Sequence, residues 1–311
     1  MQWLTEIEIE NFRCLRSVRV PLKPLTVLVG PNDSGKSAFL RALHLHALGS
    51  SQFPLSDHWR YRIENKIVIA GVPNTGGRWI LNQSAPGWGG SVGIYQLPTS
   101  GALMQSSGTY DQSGPPSISS AGDNVPALVD YLLRRDRDRF KSFENAVAQL
   151  VPGLESVVVA TPDPATRRLD LVIENGLMIP ADTASAGVRL LLFFVALAYH
   201  PSPPVRILIE EPENGIHPKR LIEVVQLLRE VSQGLHGAQG AQVVLTTHSP
   251  YLLDLLDLEK DQLLVFRRND DGSRTAEPAD PKRVRPFLDE FMLGEVWYNQ
   301  GEPGLVAKTA Q

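Results

Sequence analysis

Three short stretches of the 311-residue chain hold residues whose types and order suit chemistry on phosphate. The first is Gly30-Pro31-Asn32-Asp33-Ser34-Gly35-Lys36-Ser37, which fits G-x-x-x-x-G-K-[ST]. An apolar run, Leu25 to Val29, precedes it and a helix-like run starting at Ala38 follows, the context a phosphate-binding loop requires. Glycines let such a loop curl so that successive N–H groups face phosphate oxygens, and the helix N-terminus adds unpaired donors and partial positive charge. In that reading Gly30 to Ala38 cradle a nucleotide, Lys36 reaches its β- and γ-phosphates, and the Ser37 hydroxyl serves Mg²⁺. The plainer alternative is a glycine-rich turn that happens to carry a lysine.

The second stretch is Val205-Arg-Ile-Leu-Ile-Glu210-Glu211-Pro212, a short apolar run stopped by two acids and a proline. A buried parallel strand whose end opens on a site reads this way. Hydrolysis of a bound triphosphate needs a metal ligand and a polarised water. Glu210 is placed to hold Mg²⁺ directly or through water, and Glu211 to act as general base. The third stretch, Gln242-Val-Val-Leu-Thr-Thr247-His248-Ser249-Pro250, delivers a histidine from the end of another apolar strand, suited to sensing the γ-phosphate. Two acids at a strand end can also be a solvated loop, and a lone histidine a structural hydrogen-bonding residue.

The elements around these stretches alternate between strand and helix, which predicts an α/β fold. Leu4 to Glu10 and Leu15 to Val20 alternate as an antiparallel pair, and residues 34 to about 48 read as a helix. Residues 50 to 123 are rich in Gly, Ser and Pro with short strand candidates at 66–72, 78–81 and 92–97, and read as an inserted accessory lobe. Helical spacing covers 125–150, strands 154–160 and 168–173, and a strongly apolar helix 188–199. Residues 124–200 thus form a helical subdomain. Residues 201–311 supply the acid and histidine strands, a helix over 218–233, a strand at 262–266 and a helical or irregular tail.

Composition narrows the classes. Apolar residues make up 42% of the chain, enough for a buried core. A single cysteine, Cys14, excludes an internal disulfide framework or a cysteine-built zinc site. A net charge of −4 argues against a surface built throughout to neutralise nucleic acid, though Arg13, Arg16 and Arg19 leave room for a local basic face. The run Arg134 to Lys141 alternates in sign, as a solvated face with internal ion pairs does. The acidic, alternating N-terminus is unlike an export signal, and the apolar run 190–199 is about half a membrane span. A cytoplasmic protein with no membrane partner is expected.

Together with Ile9-Glu-Asn-Phe-Arg-Cys-Leu-Arg16, Ile207 to Pro218 and Val244 to Leu253, these motifs resemble ABC-type ATPases of the RecF/SMC/OLD-like branch, over nearly the whole chain except 50–123. The resemblance implies one ABC-type head, a P-loop NTPase of residues 1–311. Its mixed sheet carries an antiparallel N-terminal subdomain. It implies ATP and Mg²⁺ as cofactors and a homodimer in which two heads enclose two ATPs. The signature that would contact the partner's ATP falls at Ala184-Ser185-Ala186-Gly187-Val188; taken alone, that sequence is a good helix cap. Gln96 is assigned as the glutamine that links metal to the accessory lobe, and Arg13 either approaches the phosphates or is a surface arginine. Two departures stand out: Glu210 replaces the usual aspartate, and the signature keeps only Ser185 and Gly187. The implied activity is ATP hydrolysis coupled to DNA repair, DNA maintenance or regulation of a phage-defence nuclease, with a nuclease or other effector, or DNA, as partner. The stretch after His248 is too short for a nuclease module, so a separate nuclease chain is expected. The alternative is a slow or non-hydrolysing regulatory subunit; a transporter ATPase fits less well.

Overall fold

The structure, a computed structural model, describes residues 3–49, 53–62, 64–82, 92–96, 105–107, 114–236, 239–288 and 290–306. In chain order the elements begin with β1 (Leu4–Phe12), β2 (Leu15–Pro21), β3 (Leu25–Val29), α1 (Lys36–Leu48), β4 (Val68–Pro73) and β5 (Trp79–Asn82). Then come β6 (Val92–Gln96), β7 (Gln105–Ser107), α2 (Val125–Arg135), α3 (Arg137–Leu150), β8 (Leu154–Ala160), β9 (Thr166–Ile173), β10 (Leu177–Pro180) and α4 (Ala186–Ala198). They continue with β11 (Arg206–Glu210), α5 (Pro218–Gln233), β12 (Gln242–Thr247), α6 (Pro250–Leu253), β13 (Gln262–Arg268) and β14 (Arg274–Pro278). The last helices are α7 (Pro281–Leu288), α8 (Leu293–Gln300) and α9 (Glu302–Leu305). They group into two compact units. One comprises Met1–Val92, Val205–Pro212 and Ala241–Gln311, the other Gly93–Pro204 and Glu213–Gly240.

The first unit is built on a mixed sheet with the order β5-β4-β1-β2-β14-β13-β3-β12-β11. Its β13, β3, β12 and β11 are parallel, and β3 and β12 are buried at every position, as strands covered on both faces must be. The N-terminal β1, β2, β4 and β5 pair antiparallel. The α/β class and the antiparallel N-terminal ribbon are thus as the sequence led one to expect. In β1 the buried residues are Leu4, Ile7, Ile9 and Phe12; the break in strict alternation coincides with a register shift against β4 between Leu4 and Glu6. One strand of this unit was missed, as were β7 and β10 of the second. The tail contains β14, antiparallel to β13 and parallel to β2, which joins the ribbon to the parallel strands. The turn before it, Asn269-Asp-Asp-Gly272-Ser273, carried a hairpin signal.

Of the described residues of the stretch 50–123, those up to Val92, including β4 and β5, fall in the first unit and those from Gly93 onward in the second. In the second unit β9 pairs antiparallel with β7, β8 and β10. Asp136 separates α2 from α3 by accepting the Arg139 N–H at 3.1 Å as N-cap of α3. The charge run over these helices is internally paired, Arg134 with Asp130 at 2.8 Å and Arg139 with Asp136 at 3.0 Å. Helix α4, buried from Arg189 to Ala198, packs on α2, α3 and α5.

A buried polar junction fixes the lower ends of the first unit's strands. Arg206, 1% exposed, opens β11 and donates to Leu43 O and to Gln242 Oε1, both at 3.3 Å. Burial pulls its pKa down to about 10, so it remains charged. Gln242 opens β12, accepts the Leu4 N–H at 3.1 Å and donates to Leu4 O at 2.7 Å. Replacing Gln242 by Ala strands several buried groups at about 1–3 kcal/mol each. Gln242→Ala is therefore expected to lower the melting temperature by several degrees, whereas Gln226→Ala on the outer face of α5 leaves it within about a degree; thermal melts followed by circular dichroism test this.

Candidate functional site

The register of the parallel strands decides where the three motifs end. Glu210 stands opposite Thr246, and Thr246 and Thr247 stand opposite Leu28 and Val29. Strands lie about 4.8 Å apart. The exits of β11, β12 and β3 therefore deliver Glu211, His248 and Gly30 side by side at the carboxyl ends of their strands, where open α/β sheets place ligands. Glu211, His248 and the loop residues from Asn32 to Ala38 border a cleft of about 780 Å³, within the range of small-molecule sites. Lys36, Ser37, Glu211 and His248 all line it.

The loop is held open by backbone that most side chains avoid. Gly30 has φ +150°, and a Cβ there would meet Phe266 O at 2.4 Å. Gly35, at φ +100°, begins α1 with no side chain capping the helix. Lys36 is buried, and its Nζ donates to Gly30 O at 2.8 Å and Pro31 O at 3.0 Å, which seats the ammonium inside the loop's curl. The Ser34 hydroxyl is buried and makes no hydrogen bond among the described residues. Uncapped helix N–H groups, a seated ammonium and an orphaned hydroxyl make a donor set that fits a polyphosphate. Pro31, Asn32 and Ser37 are exposed at the loop surface, and Ala38 is buried.

Arg274 supports this loop from outside, and the sequence reading missed it. From the first position of β14 it donates to Asp33 O and to Asp33 Oδ2, each at 2.6 Å, while its own N–H donates to Cys14 O at 2.9 Å. Asp33 has a left-handed φ of +59°. The bidentate clasp fixes that carbonyl, which a turn of ordinary composition would leave free to rotate.

Glu211 is also left-handed, at φ +45°. Its N–H donates to Thr246 O at 3.1 Å and Thr246 Oγ1 at 3.2 Å, so the chain turns sharply off β11 instead of continuing the strand. Glu211 Oε1 lies 3.6 Å from His248 Nε2. His248 is pinned on either side. Thr247 Oγ1 accepts the Ser249 N–H at 2.9 Å, and Ser249 Oγ accepts the Leu252 N–H at the start of α6. Burial lowers the His248 pKa below the usual 6.5 and the charge on Lys36 adds to that, against a smaller opposing pull from Glu211. The imidazole is neutral at neutral pH. Glu210, at the end of β11, is half-buried.

Arg13 lines the same cleft, but its charge is already engaged: Nε donates to Asp57 Oδ1 at 2.7 Å, and the Asp57 carboxylate is buried. Asp57 belongs to the segment Leu55–Tyr61, two 3₁₀ turns that wall the cleft with Trp59, Arg60 and Tyr61. These residues lie in the stretch read as accessory lobe, and no local pattern marked them. Seven non-glycine residues among those described have left-handed backbone. Five of them, Arg13, Asp33, Arg60, Tyr61 and Glu211, line this cleft, and strain of this kind gathers at functional sites.

The remaining expected site residues lie elsewhere. Ser185 and Gly187 belong to the second unit. Ser185 caps α4, its Oγ accepting the Val188 N–H at 3.4 Å, and a Cβ on Gly187 would sit 3.4 Å from Gly215 O. Gln96 ends β6, and its side chain falls outside the described residues. Among the described residues no helix is long and apolar enough to cross a membrane.

Comparison with known proteins fits this geometry. The family model described as "AAA domain, putative AbiEii toxin, Type IV TA system" matches residues 98–254, just over half of the chain. One described as "AAA ATPase domain" matches residues 3–69. The OLD nuclease of Thermus scotoductus is 50% identical over 42 residues, 14% of this chain and 8% of that protein. The DNA replication and repair protein RecF of Nitrosococcus oceani is 36% identical over 80 residues, 25% of this chain and 22% of that protein. The matches thus span less than a quarter of either relative. Among solved structures, an SMC head bound to the C-winged helix domain of ScpA superposes with a TM-score of 0.61 at 15% identity, covering 91% of this chain and 99% of that one. The Smc head with an extended coiled coil, bound to the C-terminal domain of ScpA derived from Pyrococcus furiosus, gives 0.56 at 13% identity, covering 93% and 99%. Identities this low speak for the fold alone. With the family-model match, the fold and the motif geometry in agreement, the chain belongs to the AAA-domain family so described, and the short OLD and RecF matches and the SMC-head fold support its resemblance to ABC-type ATPases of the RecF/SMC/OLD type.

Proposed function

We propose that the protein is an ATP-binding and ATP-hydrolysing head that closes on a second copy around two ATPs and couples turnover to DNA repair, DNA maintenance or control of a phage-defence nuclease. The observation that carries the hydrolytic reading is the convergence of Glu211, His248 and Lys36 on one cleft, with Glu211 and His248 3.6 Å apart. The short OLD and RecF matches favour a nuclease or other effector chain, or DNA, as partner.

Each residue then has a role set by its position. Gly30 to Ala38 wrap the phosphates with backbone N–H groups, and Lys36 offsets charge on the β- and γ-oxygens. Glu211 takes the proton from the attacking water, and the neutral His248 donates a hydrogen bond to the γ-phosphate. Ser37 and Glu210 would hold magnesium, with Gln96 as a further ligand; the bound ion supplies charge neutralisation across the phosphate oxygens. Ser185, at the uncrowded N-terminus of α4, and Gly187 would face the ATP of the partner head. The head acts in the cytoplasm.

Lys36→Ala is expected to weaken ATP binding at least 100-fold by calorimetry; unchanged affinity removes the phosphate-loop assignment. Glu211→Gln should keep ATP binding but lower turnover by about 10²–10⁴-fold, and accumulate an ATP-bound dimer by light scattering. Wild-type protein that binds ATP without turnover, with or without duplex DNA, would instead favour the regulatory-subunit reading. The electrostatics of the site are tested separately. The Glu211 carboxylate favours the imidazolium and the Lys36 ammonium opposes it. NMR titration should therefore give a lower His248 pKa in Glu211→Gln and a higher one in Lys36→Ala. Shifts of the opposite sign would contradict the arrangement.

A further inference from the structure

We infer that Arg274 is the internal counter-ion of the phosphate loop: by holding the Asp33 carboxylate it cancels the loop's own negative charge and so lets a polyphosphate be seated there. The inference rests on the phosphate-loop reading above and adds what sets the charge of that site.

The loop itself shows the need for such a group. Asp33 is the one acid between Gly30 and Ser37, its side chain is 81% exposed, and it lines the cleft with Lys36 and Ser37. A carboxylate in that place repels a bound polyphosphate. A like charge about 4 Å away weakens binding by roughly fivefold even in water-like surroundings, and by more where solvent is partly excluded.

Arg274 meets that need from outside the cleft. Its side chain is only 6% exposed and does not border the cleft. Nε donates to Asp33 O and Nη2 to Asp33 Oδ2, each at 2.6 Å, and Nη1 donates to Gly272 O. With all three nitrogens on protein acceptors, the guanidinium acts through Asp33 and not as a phosphate ligand. Its stem is fixed against the loop as well, since a Cβ on Gly35 would lie 3.2 Å from Arg274 Cβ. Its backbone is held by pairing with Arg268 in β13 and Leu15 in β2. The charge therefore cannot swing away from the loop.

The plainer alternative is that the pair merely staples β14 to the loop. Magnitudes speak against it. An ion pair with one partner this exposed is screened by solvent and adds little to stability, while burying a guanidinium carries a desolvation cost. What the pair does change is the net charge that an anionic ligand meets.

The test varies that charge and reads ATP affinity by calorimetry on the full chain. Arg274→Gln leaves the Asp33 carboxylate uncancelled, wild type and the Arg274→Gln/Asp33→Asn double variant are each balanced, and Asp33→Asn leaves the guanidinium in excess. Affinity should follow that order: about tenfold or more weaker than wild type in Arg274→Gln, back to within about threefold in the double variant, and about threefold or more tighter in Asp33→Asn. Arg274→Lys keeps the charge and should recover most of the loss. The loss in Arg274→Gln should also shrink as salt is raised from about 50 mM to about 500 mM, because screening weakens exposed charges. Under a stapling role the double variant would bind no better than Arg274→Gln, and the loss would not depend on salt; either result overturns the proposal. If Arg274→Gln does not fold, Asp33→Asn decides alone, and anything but tighter ATP binding overturns it. Lys36→Ala separates the two levels. If it abolishes ATP binding while Arg274→Gln binds as wild type does, the phosphate loop stands and the counter-ion falls; if Lys36→Ala binds ATP as wild type does, the phosphate reading falls and the counter-ion with it.

Discussion

The register of three parallel strands is the constraint on which the site depends. Because Glu210, Thr246 and Leu28 are paired across β11, β12 and β3, the residues that follow each strand leave the sheet at one level. A slip of one residue in any of these pairings would turn the strand over and exchange the faces its side chains occupy. The slip is opposed by complete burial of β3 and β12, which leaves no solvent face to rotate towards, and by the polar junction of Arg206 and Gln242 at the opposite ends. Burial and a few directed hydrogen bonds thus place three motifs that are up to 218 residues apart in sequence, Gly30 to His248.

Electrostatics follow from that placement. An ammonium seated in the loop and a carboxylate at the exit of β11 act on one imidazole from two directions, and the balance with burial leaves it neutral. A neutral imidazole can donate or accept, whereas a charged one can only donate. Burial, with Lys36 adding to it against the smaller opposing pull of Glu211, therefore decides which role His248 can play.

Backbone strain marks the same place by an independent route. The concentration of left-handed residues around the cleft spans four separate segments: the turn at Arg13, the loop at Asp33, the wall at Arg60 and Tyr61, and the strand exit at Glu211. Each is held by hydrogen bonds from a neighbouring segment, as Arg274 holds Asp33 and Thr246 holds Glu211. Cross-bracing of this kind lets a rigid, pre-formed cleft persist at the carboxyl ends of the parallel strands. It also explains why β14 matters out of proportion to its length, since it joins the antiparallel ribbon to the parallel strands and carries Arg274.

The sequence by itself determined the α/β class, the identity of the parallel strands, the phosphate loop and the acid and histidine exits, because each of these is a local pattern: an apolar run, a fixed glycine spacing, a charged residue at a strand end. Beyond the hairpin signal before β14, it did not contain the pairing of β14 with β2, the division of the described residues of 50–123 between two units, or the cleft wall at Leu55–Tyr61. Those depend on pairings over long separations. Arg13 meets Asp57, and Arg274 meets Asp33 across 241 residues. A short strand such as β14 is stable only between β2 and β13, and a 3₁₀ segment with no apolar period is fixed only by what it leans on. The family resemblance supplied roles for Ser185 and Gly187, whereas the geometry of their own unit gives Ser185 as a helix cap and Gly187 as a close approach to Gly215. Residue type and spacing name the chemistry; tertiary contacts alone decide which side chains share a cleft.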